Sequence, residues 1–411
     1  MKILHTADWH IGKDWNGVNR TEDFIDHVIP EIVTIAKSEQ VELVIVAGDL
    51  LDGFGRDSLK HCARLLRKPI KELLEAHIHV AIIPGNHDNW PLFRVLDSAL
   101  GINPLSEKGR LLIFTEPAIH QIAKIQIIGM PYLGAHNLGR LITQQGLKIP
   151  VEPDIQANAL SIQYEKILTE LKAKLDYSRP AVLIGHFSVG GAKLSDEDDS
   201  GYPGYETSYP RELRISREAL LNSDQTPQYN ALGHIHLGQS VRDTVALTCY
   251  SGAPDRLDLG DENYEPHVLI VELPEKSKAA FEKVYLKSAT PFIRKTISSA
   301  DELAAVARKI DAKLHPRVLG RIKIQVELQT DFISLRDAVY DFFPRLKKAR
   351  TVTYQSSDPE VLAVNEADAD YVKFSDPGRM FEEYFKKFPT DKIPTLKKAI
   401  DTILSEIGHD N

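Results

Sequence analysis

The chain has 411 residues, of which 43% are hydrophobic and 26% charged, a formal net charge of −8, and two cysteines, Cys62 and Cys249. That is enough material for two or three domains with a substantial core, and it excludes a disulfide-stapled scaffold, since two isolated cysteines read as core residues of a protein in a reducing, cytoplasmic compartment. A membrane protein is excluded too: no apolar run approaches the roughly 18 residues of a spanning helix, and Lys2-Ile3-Leu4 starts a strand so early that no room for a signal peptide is expected.

The first run, Lys2-Ile3-Leu4, leads into Asp8-Trp9-His10. One carboxylate and one imidazole two residues apart suit a manganese-like ion, although Asp-x-His alone reads equally as a polar strand end. A helix is expected over Glu22 to Ser38, with Phe24, Val28, Ile32 and Ile35 on one face. Leu43 to Ala47 forms a second buried strand closed by Gly48-Asp49. Asp49 is placed to bridge two ions or, as the plainer alternative, to act as a turn or N-cap residue; Asp52 is a supporting group. A helix following Asp57 carries Leu65, Leu66, Ile70, Leu73 and Leu74.

The third strand, Val80 to Pro84, ends in Gly85-Asn86-His87-Asp88. Asn86 offers a neutral carbonyl oxygen to a metal, and His87 is placed to protonate a leaving alkoxide. Asp88 is expected to fix the His87 tautomer by accepting a hydrogen bond, while the same residues are also good turn chemistry. The pair His77-Ile78-His79 precedes its strand and reads as structural. Further strands are expected at 111–114, 125–130, 245–250, 267–273 and 281–286, as a second sheet packed on the first. Ala181 to Ile184 runs into His186, Tyr229 to Leu232 runs into Gly233-His234-Ile235-His236, and 188–210 reads as a long loop bordering the site. Polar residues beyond such strands gather along one edge of an open α/β sheet. Asp8, His10, Asp49, Asn86, His186, His234 and His236 together are too rich in oxygen donors for a lone structural zinc and suit two divalent cations sharing a carboxylate.

From about residue 291 the pattern changes. Ser299-Ala300-Asp301-Glu302 has capping-box spacing before a helix. Ile322, Ile324, Val326 and Leu328 alternate as a strand, Leu335 to Phe343 suggests a helix, and Thr351 to Tyr354 a short strand. Residues 290–350 carry 13 Lys and Arg against 7 Asp and Glu, while 351–411 carry 7 against 12. Arg345, Lys347, Lys348 and Arg350 could track DNA phosphates or form a solvated surface. The expected division is a catalytic domain over 1–289, a small α/β cap over 290–355, an acidic linker over 356–374, and two amphipathic helices over 375–411. Those helices suit docking on a partner or packing on the chain's own cap.

The ordered series Asp-x-His, Gly-Asp, Gly-Asn-His-Asp, His and Gly-His-x-His resembles the calcineurin-like metallophosphoesterase superfamily over residues 1–250. His5-Thr6-Ala7-Asp8-Trp9-His10-Ile11-Gly12, Ala231-Leu232-Gly233-His234-Ile235-His236 and Tyr250-Ser251-Gly252-Ala253-Pro254 look like its DNA double-strand-break nuclease branch, of the bacterial SbcD type. The resemblance implies a four-layer α-β-β-α sandwich of two mixed sheets with a cap domain. It implies one cation on Asp8, His10 and His236, a second on Asn86, His186 and His234, Asp49 between them, and manganese as the metal. It also implies DNA as substrate, an SbcC-type coiled-coil ATPase as partner, and a homodimer with its contact around Trp90 to Leu100. Archaeal and eukaryotic relatives carry a histidine where this chain has Asp52. Two other readings stay open: a phosphomonoesterase or cyclic-nucleotide diesterase on the same core, and a non-catalytic scaffold for an ATPase.

Overall fold

The computed structural model describes residues 1–53, 57–102, 105–133, 153–193, 213–221, 226–242, 244–275, 278–327 and 329–356. The chain divides into two compact units, one of Met1–Lys323 with Leu335–Thr353 and one of Ile324–Ser334 with Tyr354–Asn411. Residues on both sides of the expected 289/290 boundary thus share one unit. The linker beyond Ser356 and the C-terminal helices expected over 375–411 lie outside the described residues.

Two six-stranded mixed sheets make the frame. In the first, β1 (Lys2–Thr6), β2 (Leu43–Ala47), β3 (His79–Ile83) and β4 (Leu111–Ile113) run parallel in that order. The second contains β5 (Ala118–Ile122), β6 (Ile125–Met130), β7 (Ala181–His186), β8 (Tyr229–Gly233), β9 (Gln239–Ser240) and β10 (Leu247–Tyr250), of which β6, β7, β8 and β10 are mutually parallel. The first sheet is completed on the far side of β1 by antiparallel β11 (His267–Glu272) and β12 (Ala280–Tyr285).

Alternation along the strands decides the layering, because successive side chains point to opposite faces. Ile3, Leu43, Ile45, Ala81 and Ile83 meet Val182, Ile184, Tyr229 and Ala231 in a core between the sheets. Their neighbours Leu4, Val44, Val46 and Val80 face outward onto Phe24, Val28, Ile32, Leu73 and Leu74 of the first helices. Ile128, Leu183 and Leu232 of the second sheet pack on Leu160, Tyr164 and Leu168 of the helix Pro153–Lys172. The four-layer α-β-β-α sandwich is therefore observed, and both cysteines are buried and free.

The expected helix over Glu22 to Ser38 is continuous from Thr21 but widens into a π turn at Phe24–Val28. The helix after Asp57 does the same at Leu66–Ile70, where Pro69 lacks the N–H that a regular turn needs. The expected loop at 188–210 begins with a short strand, Ser188–Val189, pairing in parallel with Arg214–Ile215. After residue 289, β13 (Phe292–Ile297), β14 (Leu319–Val326) and β15 (Val352–Ser356) form a three-stranded sheet. Ser299 caps Ala300–Arg308 by accepting from Glu302 N at 3.3 Å, while the Glu302 carboxylate reaches back to Ser298 N at 2.6 Å.

Residues beyond 289 are held to the sandwich by buried charge. Asp23 accepts from Arg20 Nε at 2.9 Å, Arg317 Nε at 2.9 Å and Arg345 Nη1 at 2.6 Å. Asp255 accepts from Arg20 Nη2 at 2.5 Å and from Thr290 N at 2.6 Å. Burial pushes Asp23 up, but the three guanidiniums outweigh it and hold its carboxyl at about 2. Arg345, expected on a DNA phosphate, is thus committed to Asp23. Lys347, Lys348 and Arg350 are exposed at the end of the helix Pro344–Ala349, where cations also complement the helix dipole.

Candidate metal centre

Four strand ends build the site. Beyond β1, Trp9 is buried in the helix-side core with its Nε1 donating to Thr6 Oγ1 at 2.9 Å. Asp8 and His10 on either side take φ of 54° and 44°. Asp49 (φ 52°) and His234 (φ 94°) are likewise left-handed. Non-glycine residues in that region cost roughly 1–3 kcal/mol each and persist where surrounding structure over-determines them, commonly at functional sites. Here the determinants are visible: Asp8 N donates to Gly48 O at 3.0 Å, His10 N to Asp49 O at 2.9 Å, and His234 N to Asp8 Oδ1 at 3.0 Å. Gly48 (φ 94°) and Gly85 admit close neighbours, since a Cβ at the first would collide with the His186 ring and at the second with the Asp49 carboxylate.

All seven expected ligand residues converge. His10 Nε2 lies 3.1 Å from His236 Nε2, and Asp8 joins them, the three ligand atoms lying within 4.8 Å of one another. Asn86 Oδ1 lies 3.0 Å from both His186 Nε2 and His234 Nδ1. Between these two groups Asp49 Oδ2 stands 3.6 Å from His10 Nε2 and 3.3 Å from His186 Nε2. Ligand atoms bound to one ion at 2.0–2.2 Å lie about 3 Å from each other, so this spacing fits two neighbouring cations. The chemistry of the donors agrees. His186 Nδ1 contacts Ala47 O at 2.8 Å and His10 Nδ1 contacts Asp52 Oδ1 at 3.3 Å, so donation through those N–H groups leaves each Nε2 lone pair facing inward.

The electrostatics carry the same signature. Burial would raise Asp49, yet His186, His10 and His87 hold it far below the carboxylate range. Burial would lower His186, yet Asp49 and Asp8 raise it to about 9. Burial raises Asp8 and, with no carboxylate strong enough to compensate, drives His236 well below the usual histidine value. A cluster of buried acids and imidazoles whose protonation is pulled in opposite directions is balanced by shared cations.

The role expected of Asp88 is overturned. Its Oδ2 accepts from Gly85 N at 2.8 Å and Leu50 N at 3.1 Å, and its Oδ1 from Leu51 N at 2.8 Å. Those donors surround a buried carboxyl and leave it to tie the two site loops together, away from His87. Burial and the Asp49 charge push it up to about 6. The partner of His87 is Asp52, whose Oδ1 lies 3.0 Å from His87 Nδ1. Primarily through that hydrogen bond His87 is raised above the usual histidine value. His87 is also fixed from its backbone, which donates to Asp49 Oδ1 at 2.9 Å.

Tyr132 was missed by the sequence reading. Its ring stacks near-parallel to His234 (26°) and edge-on to His186, both at 6.4 Å between centroids. The available signal was its place: Pro131-Tyr132 follows the apolar run Ile125–Met130 as the other polar clusters follow theirs. The pair His77-Ile78-His79 stays outside the site, with His79 Nδ1 accepting from Arg110 N at 3.1 Å.

The family model for calcineurin-like phosphoesterases matches residues 1–238. The chain belongs to that family. Within it, the chain is 25% identical over 301 residues to the SbcD subunit of the nuclease SbcCD of Bacillus subtilis, covering 72% of each chain. It is 25% identical over 331 residues to the protein of the same name from Rhodobacter capsulatus, covering 76% of this chain and 75% of that one. A dimetal phosphatase of known structure from Danio rerio is 13% identical with a TM-score of 0.41, covering 70% of this chain and 98% of that one. A calcineurin-like phosphoesterase domain with this His/Asp cluster is a divalent-metal phosphoesterase.

Proposed function

We propose that the chain is the nuclease subunit of an SbcCD-type complex, a manganese-dependent enzyme that hydrolyses DNA phosphodiester bonds as exo- and endonuclease. The observation that carries the reading is the single Asp49 oxygen placed between two separate groups of donors. Asp8, His10 and His236 would hold one cation, Asn86, His186 and His234 the other, and Asp49 would bridge them. Such a pair supplies a low-pKa water as nucleophile and neutralises phosphate charge. Hard oxygens mixed with imidazoles favour manganese over zinc.

The side chains do the rest. His87, protonated and oriented by Asp52, stands at the exposed rim beside the His10 ring, 4.7 Å away, and gives its proton to the departing sugar oxygen. The strained loops hold the inward-facing nitrogens in place before substrate arrives, so no reorganisation is required at the moment of reaction.

The naming of the similar bacterial proteins supports DNA as substrate and an SbcC-type coiled-coil ATPase as partner in double-strand-break or hairpin processing, in the cytoplasm. No helix among the described residues is long and apolar enough to cross a membrane. A homodimer contact falls to the helix Trp90–Ile102, on which Val95 is 65% exposed. The test compares manganese-dependent cleavage of single- and double-stranded oligonucleotides with that of cyclic nucleotides and aryl phosphates. His87→Ala is expected to keep both metals and DNA binding yet lose roughly 10²–10⁴-fold in kcat. Preference for the small esters, or metal loss in that variant, overturns the reading.

A further inference from the structure

Two of the strands that end in the metal centre continue directly into a second cleft. The chain passes from His186 through Ser188–Val189 to Gly191 and Lys193, and from His236 through Leu237 to Ser240, and both segments line one opening of about 650 Å³. Lys193, Arg217, Arg242 and Lys283 line this cleft against the single carboxylate of Glu265. In a chain whose net charge is −8, four cations facing one anion is a local reversal of sign. The base is polar and built. His267 is 2% exposed, its Nδ1 contacts Glu265 O at 2.7 Å, and its Nε2 has no hydrogen-bond partner among the described residues. Gly238 lets the backbone pass against that ring, where a Cβ would run into Nε2.

We infer that this cleft is a phosphate-binding subsite that holds the polynucleotide strand a few nucleotides from the scissile bond. The inference rests on the proposed nuclease reading and deepens it, because it makes chain length the basis of substrate choice. Lysine and arginine on successive segments suit successive phosphates, which position a strand without reading its sequence. A small phosphoester fills the metal centre and leaves the cleft untouched. Arg217 also braces the wall, its Nε donating to Gly190 O at 2.7 Å, so the informative positions are Lys193 and Arg242.

The experiment uses the full chain carrying Lys193→Ala and Arg242→Ala together, with Lys124→Ala, a cation on the far hairpin 82% exposed, as the control. Binding of a fluorescent single-stranded 30-mer is read by anisotropy with metal chelated, across a salt series. Cleavage of the same oligonucleotide and of bis(4-nitrophenyl) phosphate is read with manganese. Two lost phosphate contacts are expected to flatten the slope of log affinity against log salt by about 1.4 and to weaken binding at least roughly tenfold at low salt. The oligonucleotide-to-aryl-ester ratio of kcat/KM should fall in step, with Lys124→Ala unchanged in all readouts. Parental affinity and salt slope in the double variant, or equal change in the Lys124→Ala control, overturns the subsite. If the parent binds the oligonucleotide through these residues but cleaves only the small ester, the subsite stands and the nuclease reading fails.

Discussion

Replacing Asp52 by Asn keeps the shape of the side chain and removes its charge. In the parent, one oxygen of Asp52 serves His87 Nδ1 at 3.0 Å and His10 Nδ1 at 3.3 Å. That carboxylate stabilises the protonated imidazole of His87, the form required to protonate a leaving alkoxide. His87 is 44% exposed, so solvent screening places the contact at the low end for hydrogen bonds to charged groups, about 1.5 kcal/mol or roughly tenfold. The sign follows from the direction of the shift: a raised pKa keeps the acid protonated, activity is present below that pKa, and it is lost as pH rises through it. Asp52→Asn should therefore move the alkaline limb of kcat toward lower pH and lower kcat above it roughly tenfold. The assay is the kcat–pH profile on an oligonucleotide beside that on bis(4-nitrophenyl) phosphate, whose leaving group departs without a proton. Metal content should stay unchanged. An unmoved limb, or an equal loss on both substrates, refutes the assignment of Asp52 as the residue that positions His87.

Asp49→Ala removes the oxygen between the two donor groups and should leave both cation positions empty by metal analysis; full occupancy refutes the bridge. Asp88→Ala strips the acceptor from three buried N–H groups and should lower stability by about 3 kcal/mol, read as unfolding temperature, with activity falling in proportion to folded protein. Loss of cleavage with unchanged stability would return Asp88 to the chemistry. Asp23→Asn should lower stability at neutral pH by about 2 kcal/mol, since the folded carboxyl titrates at about 2. Its contribution is fully present above the unfolded carboxylate range and is lost as pH falls through about 2, so parent and variant should converge in acid. Identical melting at pH 7 overturns this account of how the segment beyond 289 is anchored.

The strands and the seven donors at their ends were legible from the order of residues. Apolar runs closed by Gly or Pro must bury both faces, and the polar residues after them must emerge on one edge of the sheet. Residue type then narrowed the chemistry, because Asp, Asn and His together select divalent cations. Folding in three dimensions settled which neighbour each polar group serves. Asp88 is adjacent to His87 in the chain, yet the turn that exposes His87 points Asp88 into the amides of Gly85, Leu50 and Leu51, and Asp52 takes its place from another strand end. Arg345 looked like a phosphate ligand until folding brought it to Asp23, 322 positions away in sequence. Tyr132 gained its place only when β6 lay beside β7. Periodicity along a chain records which face is buried. Hydrogen bonds between loops depend on left-handed turns and on sheet stacking, and neither leaves a period in the sequence.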